Sequence, residues 1–430
     1  MPNAYPTLPL GQHITKGRKP LSLQEYTNAG GYRSLTRGLK MKPEDITTWV
    51  LQSGLRGRGG AGFSTGKKWK IMPMDENAPR PKYFIVNADE MEPGTFKDRW
   101  LMEGDPHQLI EGIILSSFAI GAEIAYIFLR AGYYTAEDRL RNALAEAYHA
   151  GYIGKNILGS GFDLDIYLHV SAGRYMCGEE TGLLNALQGK RAVPRPKPPY
   201  PQFCGLFGKP TIVNNVETIC NVPHIINNGV DWFKNISRSN EGGSKLYGVS
   251  GRVNRPGLWE LPLGVTIREI FEDRAGGMKE GFRMRGIIPG GASTEFVLDK
   301  HLDTPMDFDS MPKTGSRLGT GTMIVLDDRT CPVAFVLQLE RFFARESCGW
   351  CTPCREGLPW IVNILESIEA GTGTMEDLDI LREQTRMLGP GRTFCMLAPG
   401  AMEPLQSALD YFMDDFQQHI KDQRCPWRHE

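Results

Sequence analysis

The segment Tyr83-Phe84-Ile85-Val86-Asn87-Ala88 decides the fold of the first half of the chain, because it is a short apolar run that ends in polar residues. A helical pattern follows at 109–119, then a second apolar run at 125–129, a second helical pattern at 135–149 and a third strand at 165–170. This βαβαβ order predicts a parallel sheet with right-handed crossovers. In such sheets, ligands bind beyond the carboxyl ends of the strands.

Polar, glycine-containing segments follow two of these predicted strands. The acidic segment Asn87–Gly94 comes after the first strand, and the segment Ser171–Gly182 comes after the third. Because the carboxyl ends of parallel strands meet at one edge of a sheet, we expect both segments to line a ligand site.

A glycine-rich segment, Gly57-Arg58-Gly59-Gly60-Ala61-Gly62, matches the pattern G-x-G-x-x-G. Its context differs from a dinucleotide fingerprint, because 46–55 is predicted to be a helix and the first clear strand comes about twenty residues later. Glycines expose backbone N–H groups to an anion, Arg58 adds positive charge, and Lys67 and Lys68 lie within reach of a phosphate. Alternatively, this glycine-rich segment is only a flexible turn and binds no ligand.

A second region begins near Lys245, where β-type runs at 246–251 and 286–291 alternate with turn residues, and it ends near Leu326. This pattern predicts a small α+β module. From Val333 onward the apolar residues recur at helical spacing. The helical positions are Val336, Leu339 and Phe343; Leu358, Ile361, Leu365 and Ile368; the weaker set Leu378, Leu381 and Leu388; and Met402, Leu405, Leu409, Phe412 and Phe416.

Four cysteines have the spacing of an iron–sulfur site. Cys348, Cys351 and Cys354 lie between the first two predicted helices of the C-terminal region, and Cys395 precedes the last one. Three thiols spaced by two residues and closed by a distant fourth are typical of [4Fe–4S] ligation, whereas zinc ribbons usually carry two CxxC pairs. A set of buried thiols or disulfides is the alternative, although nothing indicates an oxidising compartment.

The remaining cysteines and the histidines show no ligand spacing. Cys177, Cys204, Cys220, Cys331 and Cys425 are interpreted as buried thiols, and the eight histidines form no metal pattern.

Composition excludes several classes of protein. The chain has 430 residues, 41% of them hydrophobic, and a formal net charge of −1, which suits two or three globular domains and disfavours nucleic-acid binding. The N-terminus lacks a signal or transit peptide pattern, and no apolar run approaches the roughly 20 residues that span a bilayer. The sequence therefore predicts a cytoplasmic protein that reaches a membrane only through partners.

Five separated segments together resemble one family, the NADH-binding flavoprotein subunits of bacterial respiratory complex I, NADH:quinone oxidoreductase. The resemblance covers nearly the whole chain beyond the first thirty residues. The segments are Gly57–Gly66, Asn87–Gly94, Cys177–Thr181, Val213–Thr218 and Glu346–Arg355.

The resemblance implies three domains: a Rossmann-like α/β domain for FMN and NADH at 1–244, which includes the glycine-rich loop, a small β-grasp-like α+β domain at 245–330, and a C-terminal four-helix bundle with a [4Fe–4S] cluster at 331–430. It also implies hydride transfer from NADH to FMN, with no catalytic side chain, and single-electron transfer through the cluster and partner subunits to quinone. The implied partners are a thioredoxin-like [2Fe–2S] subunit and a large multi-cluster iron–sulfur subunit, on the cytoplasmic side of the inner membrane.

The resemblance also implies site residues. Ile71 and Tyr200 stand where some members carry phenylalanine, and only the tyrosine can stack on adenine. Asn214 and Asn215 are otherwise interpretable as a turn, and Glu179 as a carboxylate favoured by a helix dipole. The implied FMN contacts are Gly57, Arg58, Gly60, Lys68, Asn87, Asp89, Gly178, Glu179, Asn214 and Asn215; the NADH contacts are Gly59, Phe63, Glu92, Glu180, Lys197 and Tyr200; the cluster ligands are Cys348, Cys351, Cys354 and Cys395.

Two alternative functions remain open. The diaphorase subunits of NAD-linked hydrogenases and formate dehydrogenases resemble this family, but they often carry fused iron–sulfur extensions, and this sequence has no further cysteine cluster at either end. A non-catalytic scaffold with a structural cluster is disfavoured by the joint presence of the glycine loop, the acidic segment and the Asn pair.

Overall fold

The computed structural model of the chain describes residues 8–14, 17 and 19–428. These residues form two compact units. The first contains 1–91, 96–246 and 260–264, and the second contains 92–95, 247–259 and 265–430. Among the described residues, no helix has the length and apolar character that a membrane crossing requires.

A parallel four-stranded sheet organises the first unit. Its strand order is β3-β2-β1-β4, with β1 paired in parallel to both β2 and β4. The three strands predicted from the sequence are confirmed to within one residue, and β4 adds an edge that the apolar pattern did not reveal. The strands are β1 (Tyr83–Ala88), β2 (Ile124–Leu129), β3 (Asp165–Val170) and β4 (Thr211–Asn215).

Helices pack around this sheet. The central one, α6, is capped by the Asp105 carboxylate, which accepts the N–H of Gln108, and it ends at Gly121, whose φ of 65° stops the helix. Nearly all of α6 is buried. The helices are α1 (Leu23–Asn28), α2 (Arg33–Gly38), α3 (Pro43–Gln52), α4 (Thr65–Lys70), α5 (Lys97–Gly104), α6 (Pro106–Ile120), α7 (Tyr134–His149), α8 (Glu180–Leu187), α9 (Pro201–Cys204), α10 (Val216–Cys220), α11 (Val222–Asn228) and α12 (Val230–Ile236).

A second four-stranded sheet has the order β6-β5-β8-β7, and most of its residues belong to the second unit. β5 is parallel to β8, whereas β7 is antiparallel to β8. This mixed sheet agrees with the α+β pattern of the sequence between Lys245 and Leu326. The strands are β5 (Ser244–Ser250), β6 (Gly257–Pro262), β7 (Met284–Ile288) and β8 (Thr322–Asp327).

The C-terminal part of the second unit is helical, as the apolar spacing predicts. One difference concerns the last predicted helix, which is divided at Phe412. The Phe412 backbone leaves the helical conformation, and its ring packs edge-on against Phe296, so tertiary packing breaks the helix there. The helices are α13 (Pro332–Glu346), α14 (Thr352–Glu369), α15 (Met375–Met387), α16 (Leu397–Tyr411) and α17 (Met413–Asp422).

Gly112 lets α6 and α10 approach closely, because a Cβ atom there would lie 2.4 Å from the carbonyl oxygen of Ile219. That contact is with backbone, so a side-chain rotation cannot relieve it. We expect Gly112→Ala to lower the free energy of unfolding by about 1–3 kcal/mol, as measured by chemical denaturation. A variant as stable as the parent chain would mean that the two helices separate at little cost.

Candidate functional site

The carboxyl ends of β1 and β4 bring two predicted polar segments side by side. In the register of these strands, Asn87 lies opposite Asn215 and Val86 lies opposite Asn214. The Asn87 amide also donates a hydrogen bond to the carbonyl oxygen of Cys177, at 3.0 Å. The structure therefore assembles the segments after β1, β3 and β4 at one edge of the sheet, as expected for a parallel sheet.

The glycine-rich loop lies between α3 and α4, so it follows a helix as the sequence predicts, and a second helix that the sequence did not predict comes after it. The N–H of Gly57 donates to the carbonyl oxygen of Phe63 at 2.8 Å, and the N–H of Arg58 donates to Thr218 Oγ1 at 2.8 Å. A Cβ atom on Gly59 would lie 3.1 Å from Asn215 Cβ. The loop thus packs against the start of α10, beside the Asn pair.

The guanidinium group of Arg58 does not face outward from this loop. It is fully buried and donates to the carbonyl oxygens of Gly242, at 2.9 Å, and Ser244, at 3.2 Å. The expectation that this side chain presents its charge to a phosphate therefore needs correction. Its positive charge lies inside the first unit, and only its backbone belongs to the surface of the loop.

A buried carboxylate, Glu217, compensates this internal charge. Its Oε2 atom lies 2.9 Å from Lys97 Nζ and 3.2 Å from Lys245 Nζ, and its Oε1 atom accepts the N–H of Leu246 at 2.8 Å. Asp98 completes the group by accepting Lys97 Nζ at 2.8 Å. These charged side chains are almost completely buried.

The pKa values follow from this arrangement. Burial raises the pKa of Glu217, but the charges of Lys245, Lys97 and Arg58 outweigh it, so the net pKa is lowered. Burial lowers the pKa of Lys97, but Asp98 and Glu217 reverse the shift and the net pKa is raised. For Lys245 burial prevails and lowers the pKa to about 7. Lys245 and Lys97 together keep Glu217 in its charged form.

The Asn pair is held by this network and by α4. Asn215 Nδ2 donates to Asp98 at 2.6 Å, and Asn215 Oδ1 accepts the N–H of Glu217 at 3.0 Å. Asn214 Oδ1 accepts the indole N–H of Trp69 at 2.9 Å. Each asparagine thus has a structural partner, and Asn215 is also the N-cap of α10.

A series of ion pairs begins beside the Asn pair, at Lys68, and continues through Glu180 and Lys197 to Glu179. Lys68 Nζ donates to Glu180 Oε2 at 2.5 Å and to the carbonyl oxygen of Val213 at 2.8 Å. Lys197 Nζ lies 3.4 Å from Glu180 and 2.7 Å from Glu179. Burial raises the pKa of Glu180, but Lys68 and Lys197 outweigh burial and the net pKa is lowered. Glu180 is therefore a charged carboxylate between two cations.

Glu179 has a second, structural role. It is the N-cap of α8, and its Oε2 atom accepts the backbone N–H groups of Thr181 and Gly182, each at 2.8 Å. The alternative that Glu179 is a carboxylate favoured by the helix N-terminus therefore agrees with this geometry. Its other oxygen accepts the ammonium group of Lys197.

Several predicted contacts remain open to a ligand. Phe63 is 58% exposed and Tyr200 is 52% exposed, so both rings are available for stacking. A Cβ atom on Gly178 would meet no protein atom within 4 Å. Asp89 is buried at the end of β1, and burial raises the pKa of its carboxyl to about 6. Open space beside a charged, glycine-lined edge fits a flavin nucleotide, because backbone approaches its ligand most closely at glycine.

Glu92 stands apart from the other predicted NADH contacts. It belongs to the second unit, where its Oε1 atom accepts the N–H of Ser293 at 2.6 Å. The other residues implied for FMN and NADH all belong to the first unit.

The four predicted cluster cysteines lie at helix ends in the second unit. Cys351 is the N-cap of α14, Cys354 lies in its first turn, and Cys395 lies two residues before the first residue of α16. The pKa of the Cys354 thiol is raised to about 11, chiefly by burial and also by the neighbouring thiols of Cys351, Cys395 and Cys348. The other three thiols thus lie near enough to Cys354 to act on its charge. Two helix N-termini beside them favour a negatively charged group, as four thiolates around iron would be.

Hydrogen bonds support the cysteine loop. Ser347 Oγ lies 3.2 Å from Cys354 Sγ, and the guanidinium of Arg355 donates to the carbonyl oxygen of Gly349 at 3.0 Å. Trp350, in the same loop, is 61% exposed, so most of its ring faces away from the rest of the chain. The donor set, four thiols at neighbouring helix ends with a hydrogen-bonding hydroxyl beside one sulfur, fits an iron–sulfur cluster.

Sequence reasoning missed the group around Glu217. The residue lies in the quoted segment Val213–Thr218, yet its partners Lys97 and Lys245 are distant in sequence, so no spacing revealed them. The interpretation of Cys204 as a buried thiol is also wrong, because this cysteine is exposed. Cys177, Cys220, Cys331 and Cys425 are buried as predicted.

Comparisons with known proteins match all three regions of the chain. Residues 50–224 match the model of the Nuo51 FMN-binding domain, 245–314 match the SLBB domain, and 334–419 match the iron–sulfur binding region of NADH-ubiquinone oxidoreductase-F.

The relatives are similar over nearly their full length. The F subunit of NADH-quinone oxidoreductase in Salmonella typhimurium is 54% identical over 96% of this chain and 93% of its own, and that of Escherichia coli has the same values. Among solved structures, a chain of the NAD+-reducing [NiFe]-hydrogenase in the H2-reduced state superposes with a TM-score of 0.80. It is 33% identical, and the match covers 95% of this chain and 67% of that one.

Replacing Glu217 tests whether the buried charges hold the first unit together. We expect Glu217→Gln to lower the free energy of unfolding by about 3–5 kcal/mol, because Lys97 and Lys245 lose their shared counter-charge. Glu137→Gln, which removes the exposed i,i+4 pair with Arg141, is the control and should change stability by less than about 0.5 kcal/mol. Similar losses in both variants, measured by chemical denaturation, would contradict this role.

Proposed function

The chain belongs to the family of NADH-quinone oxidoreductase F subunits, and from this premise we propose that it is the component through which electrons from NADH enter a respiratory complex I. One observation carries the proposal. The glycine-rich loop, the segment after β1 and the Asn pair meet at the carboxyl edge of one parallel sheet, in a chain that also carries Cys348, Cys351, Cys354 and Cys395.

The protein positions the redox groups rather than supplying a catalytic side chain. When bound, FMN accepts the two electrons of NADH as a hydride and releases them singly, and a [4Fe–4S] cluster accepts one electron at a time. The chain's own residues would bind these groups, orient them and limit access of water.

The FMN contacts are assigned to residues at the edge of the sheet. Backbone N–H groups of the glycine loop and the Lys68 ammonium group would bind the phosphate, since both bind anions. Arg58 would contribute through its backbone, because its guanidinium is buried. The polar ends of β1 and β4 would face the flavin. The proposed set is Gly57, Arg58, Gly60, Lys68, Asn87, Asp89, Gly178, Glu179, Asn214 and Asn215.

The NADH contacts are assigned to the exposed rings and the ion-pair chain beside them. Phe63 and Tyr200 supply aromatic faces for the adenine, and Glu180 would accept hydrogen bonds from the ribose hydroxyls. Lys197 would approach the pyrophosphate as a cation. Gly59 and Glu92 complete the proposed set.

The finer architecture follows from the same family. We assign a Rossmann-like domain to 1–244, a β-grasp-like domain to 245–330 and a four-helix bundle to 331–430. The bundle would consist of α13 to α16, with α17 as an additional helix. The parallel sheet, the mixed sheet and the helical C-terminus support these assignments.

The partners are proposed from the need to conduct electrons onward. A thioredoxin-like [2Fe–2S] subunit and a large multi-cluster iron–sulfur subunit would connect the chain to quinone. The exposed loop around Trp350, beside the cysteines, supports such contacts, because an exposed aromatic ring is typical of an interface. The complex would hold this chain on the cytoplasmic side of the inner membrane.

The second candidate function is that of a diaphorase subunit in an NAD-linked hydrogenase or formate dehydrogenase. The similarity in fold to a chain of the NAD+-reducing [NiFe]-hydrogenase favours it. The higher identity to the NADH-quinone oxidoreductase relatives, 54% against 33%, makes complex I the first choice. Co-purification with quinone-reducing partners rather than with a hydrogenase distinguishes the two.

Replacing a cluster ligand should separate the two electron-transfer steps. We expect Cys395→Ala to abolish the cluster while flavin and NADH binding persist, because the ligand lies in the second unit and the nucleotide residues lie mainly in the first. Reduction of a soluble two-electron acceptor should continue, and quinone reduction in the assembled complex should stop. Cys204→Ala, at an exposed cysteine, is the control. A full cluster in Cys395→Ala, seen by iron analysis and low-temperature paramagnetic resonance, would refute the ligand assignment.

Glu180 is expected to select NADH over NADPH for two reasons. Its carboxylate repels a 2′-phosphate, and it pairs with Lys68 and Lys197, so these cations are not available to bind that phosphate. We expect Glu180→Gln to raise the ratio of kcat/KM for NADPH to that for NADH at least about tenfold, or ~1.4 kcal/mol. Glu179→Gln is the matched control, because it disturbs a helix cap and should leave the ratio unchanged. An unchanged ratio in Glu180→Gln, or a shift in Glu179→Gln alone, would exclude this role.

A further inference from the structure

A compact group of metal-binding side chains lies in the second unit, outside the four cluster cysteines. Its ligand atoms all lie within 4.8 Å of one another, and every member is buried. Cys331 Sγ is 3.3 Å from His419 Nε2 and 3.4 Å from Glu369 Oε2. His419 Nε2 is 3.2 Å from Glu369 Oε2. Cys425 is the fourth member, and its Sγ atom lies within 4.8 Å of the ligand atoms of the other three.

These spacings fit a tetrahedral ion. Zinc bonds of about 2.3 Å to sulfur and about 2.0–2.2 Å to nitrogen or oxygen place neighbouring ligand atoms roughly 3.3–3.8 Å apart. The three measured distances lie within a few tenths of an ångström of that range. Two thiolates, one imidazole and one carboxylate are ligands that suit zinc.

The surroundings orient the imidazole as in known metal sites. His419 Nδ1 lies 2.6 Å from the carbonyl oxygen of Asp415, which can only accept, so Nδ1 carries a proton and Nε2 faces the group. The indole of Trp427 stacks on the same imidazole, with ring centroids 5.7 Å apart. Arg428 lies 3.2 Å from the second oxygen of Glu369. Contacts with neighbouring residues thus fix the orientations of the His419 and Glu369 side chains.

The four ligands come from separate elements. Cys331 is the N-cap of α13, Glu369 ends α14, His419 lies on α17, and Cys425 lies in the segment after it. α13 has 15 residues, so its two ends are roughly 22 Å apart. Cys331 stands at one end and Cys348 follows the other, so the group is distinct from the iron–sulfur site.

We propose that the second unit binds one structural zinc ion through Cys331, Glu369, His419 and Cys425. The ion would fasten the segment after α17 to the ends of α13 and α14, far from the redox cluster. It would take no part in electron transfer, because zinc has no accessible second oxidation state. The sequence prediction that the histidines form no metal pattern would then be wrong for His419.

Metal analysis of the full chain, purified with its flavin and iron–sulfur cluster from zinc-replete cells, tests the proposal. We expect about one zinc ion per chain in addition to the iron of the cluster. His419→Gln and Cys425→Ser should each reduce the zinc content at least about tenfold, because each removes one ligand. Cys204→Ser is the control, and it should keep the ion. Iron content and flavin absorption should be unchanged in all three variants.

X-ray absorption at the zinc edge of the unaltered chain gives a test that needs no variant. We expect two sulfur neighbours at about 2.3 Å and two nitrogen or oxygen neighbours at about 2.0–2.2 Å. Four sulfur neighbours would place zinc at the cluster cysteines instead and overturn the proposal.

Other outcomes would also overturn it. Full zinc content in both His419→Gln and Cys425→Ser would mean that the ion binds elsewhere. Zinc-free protein would leave a buried hydrogen-bonded group, in which burial raises the pKa of both thiols and keeps them protonated. A disulfide between Cys331 and Cys425, found by mass spectrometry in zinc-free protein, would identify a covalent link in place of the ion.

Discussion

The carboxylate of Glu217 is the interaction on which the nucleotide-binding unit depends. It lies without solvent among Lys97, Lys245 and Arg58, and these residues come from α5, β5 and the glycine-rich loop. A buried charge without a partner costs several kcal/mol, so this group is stable only when all these elements are in place. Asp98, which shares Lys97 with Glu217, orients Asn215, and the carbonyl oxygens of Gly242 and Ser244 hold the Arg58 guanidinium beneath the loop. Charge compensation inside the unit thus forms the loop that is proposed to bind the flavin phosphate.

A second set of charges lies at the surface of that site and has a different use. Lys68, Glu180 and Lys197 alternate in sign, so their charges largely compensate one another at the edge of the sheet where the dinucleotide is proposed to bind. The Glu179 carboxylate both stabilises the fold and joins these ion pairs. One of its oxygens caps α8, and the other accepts a hydrogen bond from Lys197. Roles of neighbouring acidic residues are therefore distinguished by their hydrogen bonds rather than by their order in the sequence.

Two groups of side chains able to bind metal lie at opposite ends of the helices of the second unit. The four cysteines lie where α14 and α16 begin, and the partial positive charge of two helix N-termini favours an anionic cluster there. At the opposite ends of α13 and α14, buried thiol, imidazole and carboxylate groups lie with their ligand atoms within 4.8 Å of one another, where we propose a zinc ion. If zinc binds there, the unit is fastened at one end and conducts electrons at the other.

The sequence by itself determined the parallel sheet, the helical C-terminus and the four cysteines, because these depend on local periodicity and on ligands close together in the chain. It also determined the family, since five segments keep their order. Only the tertiary structure decided the direction of Arg58, the partners of Glu217 and the exposure of Trp350 and Cys204. The group of Cys331, Glu369, His419 and Cys425 likewise required the fold. The physical reason is the same in each case: burial and pairing of charges depend on residues far apart in sequence, which no local pattern records.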